Sequence, residues 1–97
     1  MVRHTVLFRW LPGTTDEQVQ VVLDGLAELR AAVPEIVDYR YGPDLGINEG
    51  NAHFGISADF ASVADYETYR DHPAHLAFIE RCIAPIREER WAVQLEA

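Results

Sequence analysis

Between Arg3 and Trp10 the chain alternates two sets of side chains, His4, Val6, Phe8 and Trp10 against Thr5, Leu7 and Arg9, a period that predicts a β-strand. Leu11-Pro12-Gly13 breaks it. Thr14 with Glu17 three residues on is a capping-box pattern, and Asp16 suits the positive end of a helix. Val19, Val22, Leu23, Leu26, Leu29 and Val33 then recur at three- and four-residue spacing, predicting a helix with one buried face that stops at Pro34. Gly25 inside it costs about 1 kcal/mol relative to alanine unless another backbone packs closely there. A second strand is expected from Ile36 to Tyr41, with mixed alternation, closed by Gly42-Pro43. After the turn-rich stretch Gly46 to Asn51, Phe54, Ile56, Ala58 and Phe60 mark a strand from Ala52 to Phe60 that reads as its hairpin partner. Ser62 and Asp65 open a second helical segment carrying Val63, Tyr66 and Tyr69. Asp71-His72-Pro73 interrupts it, and Pro73 restarts the helix. Leu76, Ile79 and Ile83 form the apolar side of that last segment until Pro85, and a final strand runs from Glu89 to Leu95 with Trp91, Val93 and Leu95 on one face.

The order β-α-β-β-α-β is the split βαβ arrangement of a ferredoxin-like α+β sandwich, with two helical layers on one face of a four-stranded sheet. The other face stays open. Thr5, Leu7 and Arg9 on that face are apolar enough that pairing of two sheets is the expected cover, making a homodimer through the open sheet face. Length agrees: 97 residues with 48% hydrophobic content make one domain over residues 1–97, and a chain this short gains from added buried surface. A net charge of −8 disfavours nucleic acid and anionic membranes as partners. No apolar run approaches the roughly 18 to 20 residues of a membrane span, and a cytoplasmic location is the expectation. The lone Cys82 forms no internal disulfide and reads as a small buried hydrophobe.

Candidate chemistry centres on the four histidines, His4, His53, His72 and His75, because imidazole titrates near neutrality. His4 shares the inward face of the first strand, which fits either a hydrogen-bonded residue at the core edge or a group at a site. Tyr69-Arg70-Asp71-His72-Pro73-Ala74-His75 is the densest polar run, and Pro73 fixes its backbone at a helix junction. It reads in two ways. His72 caps and His75 packs, or His75 in the first helical turn meets positive dipole charge that keeps it neutral and available as a base. No Cys/His spacing of a metal site is present, and no glycine-rich loop follows a strand, so neither metal nor cofactor is expected.

His4-Thr5-Val6-Leu7-Phe8, Tyr41-Gly42-Pro43-Asp44, Ala52-His53-Phe54 with Phe60-Ala61-Ser62, and the run Tyr69 to His75 followed by Phe78 resemble the stress-responsive A/B barrel (Dabb) family over nearly the whole chain. The resemblance implies a dimeric α/β barrel made from two ferredoxin-like sheets. It extends to the polyketide cyclases of that family, in which a histidine opens the first strand and a tyrosine stands two residues before a His-Pro-Ala-His run. By that match His75 is the base, Tyr69 assists it and His4 orients substrate or base, with His72 of the same run counted among the substrate contacts. The pair Arg70-Asp71 departs from the apolar pair of those cyclases. Phe8, Trp10, Phe54, Phe78 and Trp91 are then the candidate apolar lining, and the implied activity is a cofactor-independent, aldol-type cyclisation of a small apolar carbonyl compound. Two rivals stand beside it: a non-catalytic stability or ligand-binding protein whose own aromatics fill the space, and a cofactor-free monooxygenase on the same dimeric barrel.

Overall fold

Strand β1 (Val2–Trp10) pairs antiparallel with two neighbours at once, which makes it an inner strand and its inward face the centre of the molecule. The computed structural model describes residues 1–97. After β1 come α1 (Asp16–Ala32), β2 (Ile36–Pro43), β3 (Phe54–Phe60), α2 (Val63–Asp71), α3 (Pro73–Phe78) running into a π-helical turn (Ile79–Ile83), and β4 (Arg87–Glu96). The sheet order β2-β3-β1-β4 and the helices on one face are those of a ferredoxin-like α+β fold. No helix is long and apolar enough to cross a membrane.

The predicted elements are present, with shifts that have local causes. The capping box sits one residue later than expected: Thr15 Oγ1 accepts from the Gln18 N–H and the Gln18 side chain accepts from the Thr15 N–H, while the Thr14 hydroxyl donates to the Leu11 carbonyl. Ser62 caps α2 as anticipated, accepting from the Asp65 N–H at 3.1 Å. In β2 the pairing register slips between Ile36 and Asp38, so Val37 is an extra residue and Ile36 and Tyr39 both face the core, three apart. That bulge is the origin of the mixed alternation. The π-helical turn, closed by an Ala84 N–H to Ile79 carbonyl bond of 2.8 Å, was not foreseen, and it rotates the apolar face: Phe78, Cys82, Ile83 and Ile86 are buried, whereas Leu76 is exposed.

Core packing joins the inward residues of β1, β2 and β3 to Val22, Leu26 and Leu29 of α1 and to Phe78 and Ile83. Gly25 is the point of closest approach. It faces the Phe78 ring and the Cys82 sulfur, not a backbone as its position implied, and a Cβ there would lie 2.7 Å from Phe78 Cδ1. On the other side of the sheet Leu7, Trp91, Val93 and Leu95 are exposed, with Leu7 directly opposite Trp91.

Candidate active site

One row of residues crosses all four strands in register: Tyr39 on β2, Ala58 on β3, His4 on β1 and Gln94 on β4. Cross-strand partners share a face, so the row looks toward the helices. Ala58, fully buried, keeps the centre of the row low, and the Tyr69 ring reaches down from the last turn of α2 to lie 6.3 Å from the His4 ring and 6.1 Å from that of Tyr39. The helix break at His72 then returns the chain so that the His75 ring sits 4.3 Å from Tyr69. His4, Tyr69 and His75 line one cavity of about 380 Å3, with Phe8 and Phe78 in its apolar wall.

Hydrogen bonding sets the two histidines in opposite tautomers. His75 Nδ1 lies 2.9 Å from the Arg70 carbonyl oxygen, which can only accept, so Nδ1 carries the proton and Nε2 keeps its lone pair. His4 Nδ1 lies 2.8 Å from the Gln94 side-chain amide nitrogen, which can only donate, so the His4 proton is on Nε2. Burial pulls the His4 pKa down to about 4, with the charges of Arg90 and His75 adding to the effect. Burial also lowers that of His75, opposed by the hydrogen bond that its Nδ1–H donates to the Arg70 carbonyl. Both rings are thus neutral at pH 7, one a base and the other a donor. The cause for His75 is desolvation more than the start of α3, a helix of only six residues.

The Tyr69 and Tyr39 hydroxyls are 2.8 Å apart in the core. Burial pushes the Tyr69 pKa up to about 12, the hydrogen bond with Tyr39 partly offsets this, and burial raises Tyr39 further still. Both remain phenols. When Tyr39 donates to Tyr69, the Tyr69 proton is left for another acceptor. Arg70 and Asp71, also at the cavity, are held together by two bonds of 2.9 Å, so their charges cancel locally.

Four of the anticipated substrate contacts lie elsewhere. His72 is the cap of α3, its Nδ1 accepting from the Ala74 N–H at 3.0 Å. Trp10 stacks on Phe8 at 5.3 Å and opens onto a wider surface depression at the other end of β1, where His53 Nδ1 accepts from the Trp10 backbone N–H. Phe54 is a fully buried core residue against Trp10. Trp91 is on the opposite face of the sheet, because its partner in β1 is Leu7. The sequence pattern did not single out Arg87 and Arg90, which line the cavity, or Tyr39 and Gln94, which do not line it but hydrogen-bond Tyr69 and His4. Only the strand register could have found them. No group of three or more His, Cys, Asp or Glu side chains is placed to hold a metal ion.

The chain matches the family model for the Stress responsive A/B Barrel Domain over residues 2–97. No curated protein matches it. Among solved structures, a dimeric ferredoxin-like protein of unknown function from Thermobifida fusca is 41% identical, with a TM-score of 0.92 and coverage of 99% of this chain and 90% of that one. A Dabb family protein with a ferredoxin-like fold from Mesorhizobium loti is 25% identical, with a TM-score of 0.82 and coverage of 99% and 95%. The hydroxynitrile lyase of Passiflora edulis is 23% identical, with a TM-score of 0.84 and coverage of 97% and 90%, a likeness that carries the fold alone.

Proposed function

The chain belongs to the stress-responsive A/B barrel (Dabb) family, and from that premise we propose that it is a homodimeric, cofactor-independent acid–base enzyme acting on a small apolar carbonyl compound in an aldol-type, polyketide-cyclase-like reaction. The observation that carries this reading is the pairing of opposite tautomers on one cavity, a lone pair at His75 Nε2 and a donor at His4 Nε2, with the Tyr69 ring beside both.

In the reaction His75 Nε2 removes a proton from a carbon next to a carbonyl. The electron pair moves onto that carbonyl oxygen, where Tyr69 and His4 donate hydrogen bonds to the developing enolate. The enolate carbon attacks a second carbonyl of the same molecule, one carbon–carbon bond forms, and the new alkoxide takes back the proton from the His75 imidazolium. No redox partner enters the balance. Neutral histidines suit the task, since a base must be unprotonated and a donor that stays neutral does not compete for the substrate proton.

Dimerisation rests on the exposed Leu7, Trp91, Val93 and Leu95 of the open sheet face and on the dimeric neighbour from Thermobifida fusca. What favours this reading over the rival in which aromatics fill the barrel is that Phe8 stacks on Trp10 and lines the cavity beside His75 without closing it. The Passiflora edulis neighbour is a hydroxynitrile lyase, so the scaffold houses a lyase elsewhere.

The test is cyclisation of an N-acetylcysteamine thioester of a poly-β-keto acid, followed by product chromatography. Substituting His75→Gln is expected to lower the rate by about 100-fold or more while circular dichroism is unchanged. Full activity in H75Q would end the assignment, and a ligand that binds but is never altered would leave the binding-protein reading in its place.

A further inference from the structure

The chain has sixteen acidic residues against eight basic ones, all of them arginines. In such an acidic protein each arginine is expected to find a carboxylate, and Arg3, Arg9, Arg40, Arg70 and Arg81 do so within 4.0 Å. Arg30, Arg87 and Arg90 do not. Two of these three line the cavity that holds His4, Tyr69 and His75.

Their placement follows from a bulge. Arg90 lies opposite Phe8 and Arg87 opposite Trp10, and the register slips between Arg9 and Trp10 so that Glu88 is the extra residue. Without the slip, two arginines three apart on a strand would point to opposite faces; with it, both take the helix-facing side. Glu88 is turned away to the depression beside Trp10, and Glu89 pairs with Arg9. Asp71 is the one acidic residue on the cavity wall, and Arg70 holds both of its oxygens. Counting Arg70, Arg87 and Arg90 against Asp71, the wall carries a net charge of +2 (3 − 1) in a chain of −8. Arg90 lines the same cavity as His4, Tyr69 and His75, and its charge contributes to lowering the pKa at each of the three.

We propose that Arg87 and Arg90 form an anion-binding rim, and that the substrate of this site is a carbonyl compound bearing a carboxylate, held by the two guanidiniums while its ketone end reaches Tyr69 and His75. This rests on the acid–base reading for the role of His75. Planar guanidiniums with several free donors match a carboxylate geometrically, and such charge-assisted bonds are stronger than neutral ones. Phe8, the cross-strand partner of Arg90, and Phe78 give the same cavity an apolar wall, so a ligand with one charged end and an apolar body satisfies both parts.

The experiment compares 4-oxo-4-phenylbutanoate with its methyl ester, a neutral compound of nearly the same body, by titration calorimetry on the intact protein. In parallel, NMR in D2O follows exchange of the protons next to the ketone. The acid is expected to bind about tenfold tighter than the ester. The R87Q/R90Q variant should erase that preference, so that acid and ester bind equally; both side chains are exposed, so the core is untouched. R30Q, an exposed arginine of α1 away from the cavity, should keep the preference. Equal binding of acid and ester, binding of neither, or a preference that survives R87Q/R90Q overturns the proposal. The acid–base reading is scored separately: exchange that H75Q abolishes sustains it whatever the arginines do. A charge preference without any exchange leaves the anion rim standing and removes the base.

Discussion

His4 is 4% exposed, and its Nδ1 accepts from the Gln94 amide nitrogen, so placing a second proton there breaks that hydrogen bond and charges a dry site. Burial, with the nearby charge of Arg90, pulls its pKa from an ordinary 6.5 down to about 4. Between those values the unfolded chain binds more protons than the folded one, so the contribution of His4 to stability is complete above pH 6.5 and is lost as pH falls towards 4. By pH 5 the loss is about 2 kcal/mol, and His75, lowered for the same reason, adds to it in the same direction. Urea unfolding at pH 7 and pH 5 at one fixed protein concentration measures the drop, which H4Q should shrink; an unchanged midpoint would show that His4 does not resist protonation. His4, Tyr69 and His75 were legible in the sequence because strand alternation and the proline break expose them. Tyr39, Gln94, Arg87 and Arg90 were not, since each enters the site through its cross-strand partner and nothing in its own neighbourhood marks it.

Elements meet the site through α1 and α3. Gly25 lets the Phe78 ring sit against the backbone of α1, and Phe78 in turn forms part of the cavity wall. Alanine at position 25 gains about 1 kcal/mol of helix propensity, yet its Cβ meets Phe78 Cδ1 at 2.7 Å. Phe78 is 4% exposed and can give way only by leaving its seat against α1 and moving toward the space it borders, so overpacking outweighs the gain in propensity. G25A is expected to destabilise the protein by about 1 to 3 kcal/mol in urea unfolding, and F78L should recover part of that loss. A stabilised G25A would mean that α1 slides freely on α3. Periodicity located these elements because the Ser62 cap, the breaks at Pro12 and Pro34 and the Pro73 restart are local chemistry, although the capping box of α1, expected at Thr14, sits at Thr15. The bulges at Val37 and Glu88 and the π-helical turn at Ile79 are adjustments to neighbouring strands and helices, and no local pattern signals them. They also decide which side chains reach the cavity, which is why the fold was clearer than the site.

At the scale of the whole molecule, β4 joins the two faces of the sheet. It is an edge strand, exposed along its full length and bonded only to β1, with Arg87 and Arg90 on the cavity side and Trp91, Val93 and Leu95 on the open side. An edge with that much apolar surface is a site of association, and in a two-fold dimer every contact occurs twice. Val93 lies mid-strand, opposite Thr5 and flanked on its own face by Trp91 and Leu95. Glutamate there would bring two buried carboxylates into one interface, so V93E is expected to sediment as a monomer at concentrations where the unaltered protein is a dimer. Because pairing also clamps the strand that carries the arginines, V93E should weaken binding of 4-oxo-4-phenylbutanoate more than that of its ester, although the substituted residue is on the far face of the sheet. A monomeric unaltered protein at micromolar concentration would refute the dimer. A monomeric V93E that keeps the full preference for the acid would show that β1 alone holds the rim in place.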